Sequence, residues 1–282
     1  MKRKLFCQIS PLTYKISLLK EFVKINILDF ICNIKFSKQQ HHETLPTIVK
    51  SHRSKILREL SGVDMNLQLN KQQNLLIAGQ KIDHIIIMPG ETFSFWKSVG
   101  RPTIKKGYLS GLAISNGDLS KSIGGGLCQL ANLIHWLVLH SPLEVTMLYH
   151  HSDAIFPDSN RRVPFGTGTS VFYKHIDYRF KNTTNQPVQL LIWQNEGDLC
   201  GELRTNARFA HKYKIEERDS GYIKENGTYY RVSRIYKLTI DNNNEVLSEE
   251  LILNNHSKVL FDYSLIPTEQ ILQNRAKGVA SL

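Results

Sequence analysis

The chain has few cysteines, no long apolar run and no recognisable nucleotide or metal motif, and each absence removes a class of protein. Four cysteines (Cys7, Cys32, Cys128, Cys200) stand without a C-x-x-C or any other paired spacing, which argues against a disulfide scaffold and a zinc knuckle. No stretch reaches the roughly 18 consecutive apolar residues of a membrane span. The opening residues are interrupted by charge where a signal peptide needs an unbroken apolar core. Sec-type export is therefore not visible, and the expected location is cytoplasmic or peripheral on the inner membrane face. Gly124–Gly126 and Gly166-Thr-Gly168 complete neither G-x-G-x-x-G nor a P-loop, and the 11 histidines include no H-E-x-x-H. The expectation is no cofactor and no metal.

What is present is an ordinary globular composition, 41% hydrophobic and 22% charged over 282 residues, long enough for one large domain or two small ones. Acid is scarce near the start. Residues 1–60 hold twelve basic and four acidic side chains, a net +8 of the chain's +11. Within residues 12–36, Leu12, Ile16, Leu19, Val23, Ile27, Phe30 and Ile34 recur at three- and four-residue steps with lysines between them, the pattern of a basic amphipathic helix. Its stripe docks on the rest of the protein, lies on an anionic membrane, or meets a partner. Docking is the leading expectation. Nucleic acid is the weakest, because the remaining 222 residues carry only +3.

A polar break at residues 37–46 reads as a linker. Beyond it, residues 51–60 suggest a short helix, Asn74–Gly79 the end of another, and residues 81–89 and 91–96 strands. Gly100, Pro102, Gly107 and Gly111 break the chain into loops around Tyr108. Leu127–His140, free of glycine and proline and apolar nearly all round, reads as a buried helix ended by Ser141-Pro142. Strands follow at 145–149, 171–175, 176–181, 188–193, 199–204, 213–217, 229–238 and 245–253, with turns at Asn182–Pro187, Asn195–Asp198 and Asp241–Asn244. The fold class is α+β: a helical N-terminal part, one buried central helix after a Gly-rich turn, and a mainly antiparallel sheet toward the C-terminus.

Chemistry concentrates at Gly124-Gly-Gly-Leu-Cys128-Gln129-Leu-Ala-Asn132. Three glycines deliver the chain into a helix whose first turn holds Cys128, where unpaired amides and the helix dipole lower a thiol's pKa. The same amides suit an oxyanion. The alternative is that Cys128 is a small buried hydrophobe and the glycines relieve packing. A base is needed, from His135, His140, His150, His151 or His175. His135 lies seven residues along the same helix, roughly 10 Å in rise, and is too far. His151 is favoured, since the strand at 145–149 returns toward the helix start. Asp153, Asp158 and Asp177 remain open as its orienting acid. Trp96, Tyr108, Trp136 and Tyr149 either line a groove for sugar or peptide or belong to the core.

Pro89-Gly-Glu-Thr-Phe-Ser-Phe-Trp96, Gly107-Tyr108, Asn116-Gly117, the run from Gly124 to Leu133, Leu139-His-Ser-Pro-Leu143, His151-Ser152 and Val163–Asn182 together resemble the VanW family, a family linked to B-type vancomycin resistance gene clusters. The likeness runs from about residue 50 to 205, with G-G-G-[LIM]-C-Q its most specific element. Some extracellular VanW-domain proteins act as L,D-transpeptidases that cross-link peptidoglycan through a cysteine. The resemblance thus implies Cys128 as nucleophile and maps the family's His-Ser pair onto His151-Ser152. One departure is plain: many members have Gly-x-Asp-Ala-Thr where this chain has Gly166-Thr-Gly168-Thr-Ser170, so a carboxylate from that position is missing.

The organisation expected is a basic helical segment and linker (1–47), a VanW domain (48–205) and a β-rich extension packed on it (206–282). The function expected is cysteine-dependent acyl transfer on a peptidoglycan-related peptide or precursor. Cys128 and His151 are catalytic, and Gly125, Gly126, Gln129, Asn132 and Ser152 bind substrate or intermediate. The competing expectation is a non-catalytic accessory protein of glycopeptide resistance or envelope stress, held on an anionic membrane through residues 12–36.

Overall fold

The computed structural model describes residues 5–57, 64–115, 118–150, 153–155, 157 and 163–272. Helix α1 (Pro11–Ile31) starts where Ser10 and Thr13 exchange side-chain and backbone hydrogen bonds and Pro11 occupies the first turn, satisfying amides that a helix start leaves unpaired. Strand β1 (Thr47–Lys55), helix α2 (Met65–Ile82), strands β2 (Ile85–Ile87) and β3 (Thr92–Ser94), and helix α3 (Phe95–Val99) follow. The hairpin β4 (Ser110–Ser115) and β5 (Asp118–Ile123) leads into α4 (Cys128–Leu139). The remaining strands are β6 (Glu144–Met147), β7 (Asp153–Ala154), β8 (Arg179–Lys181), β9 (Val188–Asn195), β10 (Asp198–Thr205), β11 (Lys212–Glu225), β12 (Thr228–Ile240) and β13 (Val246–Val259).

The central antiparallel sheet has the order β1-β10-β9-β2. Glu196 and Gly197 both take positive φ between β9 and β10, the two-residue turn whose twist matches a hairpin. Leu75, Ala78 and Ile82 of α2 and Leu130, Leu133, Ile134 and Leu137 of α4 are buried in one cluster with Leu190, Ile192, Leu199 and Leu203 of this sheet. A smaller sheet, β3-β8-β6, extends that core through Phe93 and Phe180, whose rings stack 5.0 Å apart. The C-terminal sheet runs β11-β12-β13-β7, antiparallel except for the β13–β7 pair. Ile215 and Ile235 of that sheet pack with Trp136 and Leu139 of α4, and Lys237 Nζ donates to the Ser141 carbonyl at 2.8 Å. The architecture is α+β.

Several local expectations are corrected. Residues 51–55 belong to β1, paired from Thr47↔Thr205 to Lys55↔Asp198. Lysine and arginine suit an edge strand, which needs no apolar alternation. Ile82 ends α2, so the apolar run at 85–87 makes only a three-residue strand. Phe95 and Trp96 begin α3 because Ser94 caps it, accepting from the Lys97 amide. The hairpin β4–β5 replaces a loop; residues 171–176 form a tight turn closed by the Phe172↔Ile176 bridge in place of the strand expected at 171–175, and the strand expected at 176–181 shortens to β8. The stripe of α1 does not dock. Leu12, Ile16, Leu19, Val23, Ile27 and Phe30 are all exposed, and Asp29 is the buried residue of the helix.

Candidate functional site

Backbone contact positions the start of α4. Asn74, fully buried on α2, donates from Nδ2 to the carbonyls of Leu109 (3.0 Å) and Gly125 (2.9 Å) and accepts from the Leu109 amide at 2.8 Å. Gly111 and Gly125 meet backbone to backbone: a Cβ on Gly111 would lie 2.6 Å from the Gly125 oxygen, and one on Gly125 would overlap the Gly111 carbonyl. Gly126 takes φ +94° with its Cα against the aliphatic chain of Lys71, a conformation that side chains rarely adopt. The glycines therefore serve close approach and a left-handed step, and they deliver Cys128 to the first position of α4. Asn74 gave no signal in the sequence, because its partners are backbone groups remote in the chain.

The Cys128 thiol donates to the Val171 carbonyl at 3.7 Å and packs against the main core. The residue keeps some solvent surface, yet burial around the sulfur pushes its pKa up, outweighing smaller opposing hydrogen bonds to the backbone of Val171 and of Cys128 itself. This corrects the expectation of a lowered pKa: desolvation of the thiolate outweighs the helix-start field.

Gln129 and Asn132 are tied into the fold. Gln129 Nε2 donates to Ser54 Oγ (3.0 Å) and the Lys55 carbonyl (2.9 Å), joining α4 to β1. Asn132 Oδ1 accepts from the Thr169 amide at 2.6 Å. His151 and Ser152, with Asn116, Gly117 and Asp158, lie outside the described residues. Their neighbours Tyr149 and His150 do not: the Ser170 amide donates to the Tyr149 carbonyl at 2.8 Å, and His150 Nδ1 is 3.0 Å from the Gly166 carbonyl. One segment, 166–171, thus touches the chain just before His151, the side chain of Asn132 and the thiol of Cys128.

The other candidates fall elsewhere. His135 is buried beside the Tyr178 hydroxyl at 3.2 Å, and burial first, then the charges of His150 and Lys237, push its pKa down to about 3. His140 bonds the Trp136 carbonyl, and burial lowers it to about 4. Asp177 is consumed by Ser94 Oγ (2.6 Å), the Trp96 amide (3.1 Å) and Arg179 Nε (2.7 Å). Asp153 lies in β7 beside β13. Tyr108 and Trp136 are core residues, Tyr149 is exposed, and Trp96 donates from Nε1 to the Ile176 carbonyl at 2.8 Å, so these four rings do not form one groove. Among the described residues, no three His, Cys, Asp or Glu side chains group as metal ligands.

This arrangement, a glycine-rich turn locked between α2 and β4 and opening a cysteine-led helix on an antiparallel sheet, falls within a recognised domain. A family model described as "VanW like protein" matches residues 70–204, which include most of α2, the glycine turn, Cys128, β9 and all but the last residue of β10. Over 220 residues the chain is 28% identical to the vancomycin B-type resistance protein VanW of Enterococcus faecalis, covering 78% of this chain and 80% of that protein. It is also 34% identical over 119 residues to the uncharacterized protein YoaR of Bacillus subtilis, covering 42% of this chain and 38% of that one. No solved structure matches. Residues 70–204 thus carry a VanW-like domain, and similarity to the Enterococcus protein extends over 78% of the chain.

Proposed function

We propose that this protein works in the bacterial cell envelope, in the setting of vancomycin resistance that its Enterococcus relative's name indicates, and that it transfers acyl groups of peptidoglycan-related peptides through Cys128. The observation that carries this reading is the shared segment 166–171, which contacts both the Cys128 thiol and the residues immediately preceding His151. A thiol held neutral by burial needs a base at the moment of attack. His151 takes the Sγ proton as sulfur bonds to a peptide carbonyl carbon, and the carbonyl π pair moves to oxygen, which in this reading meets the amides of Leu127 and Cys128, since the Gln129 amide already donates to the Gly126 carbonyl at 3.1 Å. Collapse expels the amine, which leaves with the proton from His151, and a second amine or water then releases the thioester.

A second reading, a non-catalytic accessory role, is favoured by the engagement of Gln129 and Asn132 and by the raised thiol pKa. Incubating the purified protein with muropeptides and trapping thioesters by mass spectrometry separates the two. The enzyme reading expects an adduct on Cys128 that is absent in Cys128→Ser and lost in His151→Ala. No adduct in the folded wild type, together with full complementation of a resistance phenotype by Cys128→Ser, overturns it in favour of the accessory role.

A further inference from the structure

The helix α1 carries two apolar faces, and the fold uses one of them. At 100° per residue, Leu18, Phe22, Ile25 and Asp29 share the face turned to the protein; the Lys174 ammonium lies 5.4 Å from the Phe22 ring, and Asp29 is buried against Arg179. Leu12, Ile16, Leu19, Val23, Ile27 and Phe30 form a separate straight stripe, with Leu12 67% and Phe30 86% exposed. Leu5, Phe6 and Ile9, also exposed, precede it. Lys15 borders the stripe on one side and Lys20 and Lys24 on the other, all exposed, while Glu21 projects from the opposite side of the helix.

We propose that α1 lies flat in the surface of an anionic bilayer, with this stripe among the acyl chains and Lys15, Lys20 and Lys24 at the lipid phosphates. The helix is about 31 Å long at 1.5 Å per residue, but no helix among the described residues is long and apolar enough to cross a membrane, so α1 fits the plane of the interface. Cations on both borders complement anionic headgroups. They disfavour a second copy of the chain, which would set lysine against lysine along the contact. The helix is held in place: Arg179 pairs with Asp29, and Lys97 and Arg179 lie 4.3 and 5.2 Å from the Phe36 ring just beyond its end. A bilayer bound there therefore faces a fixed side of the VanW domain.

The test is vesicle flotation of the full chain with phosphatidylcholine alone and mixed with phosphatidylglycerol. The expected result is flotation with the mixed vesicles, weakened by salt, reduced about fivefold for each of Lys15→Gln, Lys20→Gln and Lys24→Gln, and reduced at least ~tenfold in Leu19→Glu/Val23→Glu. These positions are exposed, so thermal melts should match wild type, and Cys128→Ser should float like wild type. No flotation of the wild type, or equal flotation of the Leu19→Glu/Val23→Glu protein, overturns the proposal. A dimer that this double variant dissolves, in a protein that does not float, overturns it in favour of a second copy.

Discussion

Arg179 grips Asp29 with both arms of its guanidinium, Nη1 to Oδ1 at 2.6 Å and Nη2 to Oδ2 at 3.1 Å, across 150 residues of chain. Its Nε reaches Asp177 at 2.7 Å, and Asp177 in turn accepts from Ser94 and the Trp96 amide. One buried cation therefore joins the last turn of α1, strand β8 and the cap of α3. The two carboxylates raise its pKa further above the ordinary arginine value against the cost of burial.

Removing that cation should be severe. Arg179→Met leaves buried Asp29 with only the Lys97 ammonium at 3.5 Å and Asp177 with neutral donors alone, and breaking a buried pair in this way costs up to about 3–5 kcal/mol. Asp29→Asn, which keeps a hydrogen-bonding group, should cost less and should expose α1 to limited proteolysis before the rest of the chain. Urea denaturation read by circular dichroism checks both. A loss below about 1 kcal/mol for Arg179→Met would mean that the ion pair is not the tie described.

Gly125→Ala makes a sharper test of the glycine turn than Gly126→Ala. Gly125 has no positive φ, so a new methyl would ordinarily be tolerated or would stabilise by about 0.4–1 kcal/mol through the unfolded state. Here the methyl meets the Gly111 carbonyl, and the expected outcome is a loss of about 3 kcal/mol or more from overpacking. Gly111→Ala should do the same. Because both variants break one contact, the double variant should be less destabilised than the two losses added. Thermal melts of the three proteins decide this.

What could be read from the sequence was local chemistry. The glycine run followed by an unbroken apolar segment marks α4, and Glu196-Gly197 marks the β9–β10 turn, because each depends on backbone rules a few residues long. Strand β1 was illegible since a polar edge strand has no period of its own and its pairing comes from β10, about 150 residues later. The docking face of α1 is not legible in the sequence for a related reason. Apolar residues line two faces, and only the position of Arg179 determines that the face with Asp29 turns inward. For Cys128 the motif pointed to the helix start, but the direction of its pKa follows from how densely Val171 and the core surround the sulfur.

His135 makes stability depend on acid. Its ordinary pKa of 6.5 is depressed to about 3, first by burial and then by His150 and Lys237. The unfolded chain thus takes up a proton near pH 6.5 that the folded chain refuses until about pH 3. Stability is complete above pH 6.5 and declines as the pH falls toward 3, at roughly 1.4 kcal/mol per unit, or about 2 kcal/mol by pH 5. His140, lowered to about 4 mainly by burial, adds a similar slope. His135→Gln keeps a hydrogen-bonding group for the Tyr178 hydroxyl and removes the titration. It should be less stable than wild type at pH 7.5, yet lose only about half as much between pH 7.5 and 5 as wild type does. Urea denaturation of both proteins at the two pH values measures this. An unchanged slope in His135→Gln would show that the imidazole is not held neutral by the core, and would place the acid sensitivity on His140 or elsewhere.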